Sequence, residues 1–272
     1  MKTLFMLVMS GTIVSFAADT PVTFKDATLA AVAAQSLPAG QPAGPVTETQ
    51  APSVILIRSE ETIRDLGGIE KLTGVRFLYI AKSEISDLRP LAGLTQLESI
   101  TIKGGTIADL TPLANLKKLE FLSLPGHQVQ DLKPLAGLAE LQHLDLSGNR
   151  VADLTPLGGL AKLEWLRLEN NQVASLAPIV GLKKLQMIDL NKNQIRDLGP
   201  LKDVQSWSAL YLDDNQIADL KPLLASLQTD QGKPKTLIPF RSVSLKGNPL
   251  SAATRSAELP PLQKAIGNLS IN

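Results

Sequence analysis

The chain has 272 residues, with 27 Lys plus Arg against 26 Asp plus Glu and a formal net charge of +1 at pH 7. This balance argues against a protein that binds nucleic acid or anionic membranes, because both partners select a basic surface. The sequence is 44% hydrophobic but only 4% aromatic and has no cysteine, so it predicts an aliphatic core built without disulfides.

The first 17 residues have the features of a secretory signal. One lysine precedes the apolar run LFMLVMSGTIVSF, and Ser15 and Ala17 fit a cleavage site after Ala17, with Ala18 as the alternative. The run is too short for a membrane span, and we find no lipid-anchor cysteine and no wall-sorting tail. We predict a signal peptide at residues 1–17 and a secreted or periplasmic protein. An uncleaved N-terminal anchor is the alternative.

Residues 18–52 predict a helical cap followed by a connector. Asp26 can cap a helix that Pro38 ends, and the apolar face of this helix consists of Leu29, Val32, Ala33 and Leu37. The following stretch is rich in Pro, Gly and Ala, which predicts an extended chain with room for one short helix near residues 47–50.

Residues 53–206 form seven consecutive units of 22 residues, and an eighth unit begins at Trp207. The units at 141–162 and 163–184 align without a gap. Apolar residues recur at unit positions 1, 4, 6, 11, 14, 17 and 20, with Asn often at position 9, Asp at 13 and Pro at 16. A fixed period of this length predicts a solenoid, which we place at residues 53–250.

This pattern resembles the bacterial leucine-rich repeat family, most closely its 22-residue internalin-like class, over about Phe24 to Leu250. The resemblance implies an α/β fold: a right-handed leucine-rich repeat solenoid with a parallel concave β-sheet, a short 3-10 or helical convex side and a helical N-terminal cap. It also implies binding to other macromolecules. The lack of disulfide-bonded caps favours a bacterial source.

Alternation within each unit predicts a short strand that buries positions 4 and 6 and exposes positions 3, 5 and 7. In one unit, Leu144 and Leu146 point inward, while His143, Asp145 and Ser147 point outward. The first unit is degenerate. In it we expect Leu56 to point inward and Ile55 and Ile57 to point outward.

The family resemblance also implies an asparagine ladder that satisfies buried turn backbone, formed by Asn149, Asn171, Asn193, Asn215 and Asn248. The first units have other residues at this position, namely Glu61, Ser83, Gly105 and His127, and we expect looser turns there. We interpret His127 as a hydrogen-bonding substitute rather than a ligand. The repeated aspartates and prolines are expected to be structural because almost every unit has them.

The C-terminal part departs from the period. The eighth unit has an insertion, for which we predict a helix over Leu223–Asp230, an exposed QGKPK loop and a strand within Phe240–Leu245. Residues 251–272 are predicted to cap the solenoid, with a helix at Pro261–Ile266 that Gly267 closes.

Large apolar and charged residues occupy the exposed positions of several units, where the core does not need them. We predict a main patch of Trp165, Arg167, Met187, Asp189 and Tyr211 and a second patch of Phe77, Tyr79 and Phe121, since Trp, Tyr and Arg are enriched at binding hot spots. The alternative is that these side chains only pack against one another. The predicted partner-binding residues are Phe77, Tyr79, Phe121, His143, Asp145, Trp165, Arg167, Glu169, Met187, Asp189, Tyr211 and Asp213.

Catalysis, metal binding and cofactor binding are disfavoured. His143 and Asp145 with Ser123 or Ser147 resemble a triad in composition, but an open sheet offers no oxyanion pocket. The acids at the C-terminal end of the face could contact Ca²⁺, yet no loop motif encloses an ion. The pairs Gly104–Gly105 and Gly158–Gly159 lack the lysine and spacing of phosphate loops. We therefore predict no catalytic residues, no metal, no cofactor and no enzymatic activity.

We predict a monomer that binds a protein on its concave face. The second hypothesis is a glycan, for which Trp165 and Tyr211 would stack on sugar rings while Arg167, Asp189 and Asn191 bind hydroxyls. The third hypothesis is a structural role in an envelope assembly, without use of the concave residues.

Overall fold

The computed structural model describes residues 19–203, 208–226 and 242–271, together with two short strands, β1 (Val8–Met9) and β2 (Thr12–Ile13). These two strands pair antiparallel. Apart from them, the predicted signal peptide lies outside the described residues. So do Trp207, the QGKPK loop and the last residues of the helix predicted at Leu223–Asp230.

Ten parallel strands form one open sheet in which each strand pairs with its neighbours in the sequence. This order requires the chain to return to the same side after every strand, as in a solenoid, and it confirms the predicted leucine-rich repeat fold. The strands are β3 (Leu56–Ile63), β4 (Phe77–Ser83), β5 (Ser99–Ile102), β6 (Phe121–Ser123), β7 (His143–Asp145), β8 (Trp165–Arg167), β9 (Met187–Asp189), β10 (Ala209–Tyr211), β11 (Ser242–Ser244) and β12 (Asn268–Ser270).

Short 3-10 helices bring the chain back on the convex side. Most begin with the repeat proline in the first turn, where its missing N–H costs nothing. The repeat aspartate accepts a hydrogen bond from the N–H two residues later, as at Asp109 to Thr111 and Asp153 to Thr155, both 2.8 Å. The 3-10 helices are Ala51–Ser53, Ile69–Lys71, Arg89–Leu91, Thr111–Leu113, Lys133–Leu135, Thr155–Leu157, Ala177–Ile179 and Gly199–Asp203.

The inward positions form continuous aliphatic ladders. Leu144, Leu146, Leu166 and Leu168 are all buried, as the alternation predicts. In the first coil, the outward and inward positions are shifted by one residue relative to the 22-residue unit, because Leu56 pairs with Phe77 and Ile57 with Leu78.

Ile57 is therefore buried while Leu56 is 46% exposed, and the prediction for these two residues was wrong. The coil starts at the buried Val54 instead of Ser53, and a strand irregularity between Ser59 and Thr62 accommodates the shift. Ile55, which was also expected outside, is 42% exposed.

Helix α1 (Ala27–Gln35) covers the N-terminal end of the stack. Asp26 caps it as predicted, accepting hydrogen bonds from the N–H groups of Thr28 at 2.8 Å and Leu29 at 3.0 Å. The same carboxylate accepts a bond from the Arg64 N–H at 2.7 Å, so one side chain both starts the helix and joins it to the first coil.

The described residues of the C-terminal part form three helices, α2 (Lys221–Ser226), α3 (Ala252–Ala257) and α4 (Leu259–Ala265). Helix α4 corresponds to the predicted cap helix, whereas α3 and the final strand β12 were not predicted. The buried Glu258, between α3 and α4, accepts a hydrogen bond from the Leu220 N–H at 2.8 Å. This bond ties the end of the chain to the eighth coil.

The asparagine ladder is present as expected. Asn171 accepts a bond from the Val151 N–H at 2.8 Å and donates to the carbonyls of Leu146 at 2.9 Å and Leu168 at 3.0 Å. Each ladder amide thus links its own turn to the preceding coil. The same pattern holds at Asn149, Asn193, Asn215 and Asn248.

His127 continues this ladder with a different side chain. Its Nδ1 accepts a bond from the Ile107 N–H at 3.2 Å, so its Nε2 carries the proton and donates to the Ile102 carbonyl at 3.0 Å. Burial lowers the pKa of this imidazole. His127 is therefore held neutral as a structural residue, in agreement with the interpretation that it is not a ligand.

The looser turns expected in the first half are not seen at Gly105. This residue has φ of +88°, and a Cβ added to it would lie 2.2 Å from the carbonyl oxygen of Ile85. The adjacent coils approach so closely that no ladder side chain fits between them. A backbone bond from the Thr106 N–H to the Ile85 carbonyl, at 2.9 Å, joins the coils there instead.

Candidate binding surface

The outward columns lie side by side because the inner strands pair without any register shift. His143 is opposite Trp165 and Trp165 is opposite Met187, while Arg167 lies between Asp145 and Asp189. Neighbouring strands in a sheet are about 4.8 Å apart, so side chains in one column are in contact range.

An aromatic row crosses three strands of this face. The ring centroids of Phe121 and His143 are 5.7 Å apart, and those of His143 and Trp165 are 5.4 Å apart with the planes tilted by 57°. Trp165, at the end of the row, remains 46% exposed. The row therefore holds the indole in place from one side and leaves much of it open to solvent.

The row borders a concave pocket of about 190 Å³, which we call the Trp165 pocket. Its volume is below the usual range for sites that enclose a whole small-molecule ligand and suits one or two side chains of a partner. The lining is mainly apolar, with one acid and one base at the rim. The pocket is lined by Phe121, His143, Leu144, Asp145, Trp165, Arg167 and Met187.

The two charged residues of the pocket face each other. The Arg167 guanidinium lies 3.8 Å from the Asp145 carboxylate, and the Arg167 side chain is about half exposed. Asp145 also accepts hydrogen bonds from the Ser147 N–H at 3.0 Å and hydroxyl at 2.8 Å. Asp145 is thus fixed by its own turn, whereas the half-exposed guanidinium of Arg167 has further N–H donors for a partner.

Asp189 lies next to the pocket on β9 and is partly buried. It accepts one hydrogen bond, from the Asn191 N–H at 3.2 Å. Burial raises the pKa of this carboxyl, the charges of Glu169 and Asp145 raise it further, and Arg167 acts in the opposite direction. None of the described lysines and arginines forms a salt bridge with Asp189.

The other predicted partner-binding residues on β10 and in the turns after β8 and β10 lie outside the pocket. Tyr211 is opposite Asp189 on β10, two strands away from Arg167. Glu169 forms an ion pair with Lys192 at 2.8 Å, and Asp213 accepts a bond from the Lys246 N–H at 2.8 Å. Glu169 and Asp213 thus have partners within the chain, and Tyr211 extends the surface beyond the pocket.

The second predicted patch is divided. Phe121 belongs to the Trp165 pocket, whereas Phe77 and Tyr79 lie on β4, and the strand between them bears the small residues Ser99 and Thr101. Thr101 and its neighbour Ser123 on β6 are buried, at 8% and 6% exposure, although the alternation predicted them outside.

Basic residues surround the aromatic residues of β4. The Arg58 guanidinium lies 4.5 Å and the Lys103 ammonium 6.0 Å from the ring centroid of Tyr79, and Arg76 lies 5.3 Å from that of Phe77. Sequence reasoning missed Leu56, which lies opposite Phe77 and is exposed, because it placed this residue inside. The 22-residue period alone does not reveal that the first coil is shifted by one residue.

Catalytic and metal-binding arrangements are not formed by these residues. The His143 ring packs between Phe121 and Trp165, Ser123 is buried, and the Ser147 hydroxyl donates to Asp145. In the part of the chain that the structure describes, no three His, Asp or Glu side chains are grouped to hold a metal ion. No helix in the described ranges combines the length and apolarity that crossing a bilayer requires.

Comparison with known proteins agrees with the geometry. Residues 161–203 match the family model of leucine-rich repeats in two copies. Among solved structures, internalin C2 of Listeria monocytogenes is 28% identical with a TM-score of 0.72, and the match covers 85% of this chain and 98% of that one.

Two further Listeria monocytogenes proteins share the fold at 20% identity. Internalin F has a TM-score of 0.56 and 93% coverage of both chains. The functional domain of InlJ has a TM-score of 0.63 and covers 89% of this chain and 54% of that one. A search of curated protein sequences found no match.

The sequential parallel sheet, the 3-10 returns and the asparagine ladder define a leucine-rich repeat protein. The chain is similar to the internalin-like bacterial leucine-rich repeat proteins. This similarity indicates a role in protein interaction.

Proposed function

We propose that this protein is an exported, non-enzymatic interaction module that binds a protein partner on its concave face, with the Trp165 pocket as the anchor site. The main support is the indole of Trp165, which is 46% exposed beside an apolar pocket although the core is complete without it. An exposed aromatic residue at the edge of a pocket is typical of a binding hot spot.

The scaffold suits this role because it is ordered before binding. Trp165 and Arg167 project from a strand that is paired on both sides, and the ladder residue Asn171 fixes the turn that follows. Little conformational entropy is then lost when a partner docks, and that loss is one of the main costs of association.

A protein partner is favoured over a glycan. The two sugar platforms of the glycan hypothesis, Trp165 and Tyr211, are separated by strand β9, and Tyr211 does not line the pocket. The pocket is instead bounded by Phe121, Leu144 and Met187, which suit an apolar side chain. Binding of a glycan array with no protein captured is the result that would favour the glycan.

The concave face can be tested by site-specific cross-linking, because a chain without cysteine accepts a single introduced thiol. Ser99→Cys places a thiol on β5 directly beside Phe121, and Ala92→Cys places one in an exposed convex turn. Each variant is labelled with a photoreactive group and exposed to envelope and extracellular protein fractions. We expect one discrete protein adduct from Ser99→Cys and none from Ala92→Cys.

Competition gives the necessary control for this experiment. An excess of unlabelled wild-type protein should suppress the Ser99→Cys adduct, while an excess of the Trp165→Ala variant should not. Equal adducts from the concave and convex positions, or suppression by both competitors, would contradict the proposal.

A further inference from the structure

We propose that the concave face recognises a partner segment in which a lysine or arginine stands next to an apolar side chain, with the cation bound at Asp189 and the apolar group in the Trp165 pocket. This inference rests on the proposed function, since it specifies the chemistry of the same protein partner.

The first observation is a local excess of negative charge. Unit positions 3, 5 and 7 of the coils that contain β7 to β10 bear one cation, Arg167, against four carboxylates, which belong to Asp145, Glu169, Asp189 and Asp213. Lys192, in the turn after β9, adds a second cation that pairs with Glu169. The chain as a whole is nearly neutral and basic residues lie beside the β4 aromatics, so the acidic excess belongs to this part of the concave face. It favours a basic partner and repels an acidic one.

The second observation is that the other carboxylates already have partners within the chain. Asp145 faces Arg167, Glu169 pairs with Lys192, and Asp213 accepts a backbone bond from Lys246. Asp189 has only the Asn191 N–H. Asp189 and Asp213 can thus each meet an incoming cation without breaking an ion pair. Of the two, Asp189 is the one that lies opposite a residue of the Trp165 pocket, Arg167.

The third observation is the partial burial of Asp189. Removing a carboxylate from water without a counterion is unfavourable, and burial raises the pKa of this group. A cation supplied by the partner would offset this cost, and its attraction is stronger in a partly desolvated groove than in open water.

The residues around Asp189 indicate which side chain of the partner should stand next to the lysine or arginine. Met187 lies two residues earlier on the same strand and Arg167 is opposite Asp189 on β8, so the carboxylate is next to two residues that line the Trp165 pocket. The aliphatic stem of a lysine or arginine packs well on such a surface while its charged end reaches the carboxylate. A neighbouring apolar side chain of the partner then fills the pocket.

Three sets of 12-residue synthetic peptides test this chemistry on the full chain. All sets have the same Leu, Phe and Trp residues at the same positions, and the intervening positions are all Lys, all Gln or all Glu. We expect the Lys set to bind at least about 10-fold more tightly than the Gln set, with the weakest binding for the Glu set. The preference should shrink as salt is raised.

Matched variants locate the effect. Asp189→Asn should lower the affinity of the Lys set to that of the Gln set, a loss of about 10-fold, with little change for the Gln set. Asp109→Asn removes the same charge from an exposed convex turn and should change nothing. Trp165→Ala should weaken the Lys and Gln sets alike.

Equal or tighter binding of the Gln or Glu set, no binding of any set, or a Lys preference that persists in Asp189→Asn would each overturn the proposed recognition. Failure of the proposed function is a separate result. The proposed function would fail if the peptides bound Trp165→Ala as tightly as wild type, or if Ser99→Cys and Ala92→Cys gave equal adducts in the cross-linking experiment.

Discussion

Trp165→Ala is expected to weaken partner binding by about 100-fold, which corresponds to about 2.7 kcal/mol. The indole is the most exposed part of the aromatic row, and it borders the pocket that a partner side chain would fill. Truncation removes its contact area and widens the pocket. The affinity is measured by calorimetric titration with the partner that cross-linking identifies.

Two controls separate binding from folding in this experiment. Lys184→Ala changes an exposed residue outside the sheet and should leave the affinity unchanged, and Phe77→Ala removes another exposed aromatic from the same face, outside the pocket. We expect a smaller loss for Phe77→Ala. Thermal unfolding of Trp165→Ala should stay close to wild type, and a large fall in its midpoint would assign Trp165 a structural role.

Asn171→Ala is expected to lower the free energy of unfolding by about 3 to 5 kcal/mol. The amide makes three buried hydrogen bonds, to the Val151 N–H and to the carbonyls of Leu146 and Leu168. Alanine leaves the Val151 N–H buried without a partner. The carbonyls of Leu146 and Leu168 each lose one of two amide donors and keep the other, from Asn149 and Asn193. Urea unfolding measures the loss.

The neighbouring exposed residue provides the control for the ladder. Gln172→Ala changes a side chain of similar size that is exposed, and its effect should stay below about 0.5 kcal/mol. Hydrogen exchange should also show that the Val151 amide loses protection in Asn171→Ala. A loss below about 1 kcal/mol, with protection intact, would contradict the structural importance of the ladder.

Most of the fold could be predicted because one physical constraint repeats in every coil. A unit of constant length must bury the same apolar positions each time, so residues such as Leu144 and Leu166 were placed correctly. The prediction failed where this constraint lapses. The first coil contains an irregular strand near Ser59, and the final strand, Asn268–Ser270, lies beyond the last repeat, where no periodic pattern indicates a strand.

The candidate site could be predicted only in part. The period places Trp165, Arg167 and Asp189 in adjacent outward positions, but it does not determine which side chains touch. Contact depends on size and side-chain direction. The short Ser99 and Thr101 separate Phe121 from the aromatic residues of β4, and Phe121 packs on His143 instead.

The most direct test of the concave-face proposal is acrylamide quenching of Trp165 fluorescence in the Trp207→Phe variant, whose only tryptophan is Trp165. The half-exposed indole should be quenched readily in the free protein. Saturation with the partner should lower the quenching constant several-fold because the partner covers the indole. An unchanged constant at saturation would show that binding occurs elsewhere and would contradict the proposal.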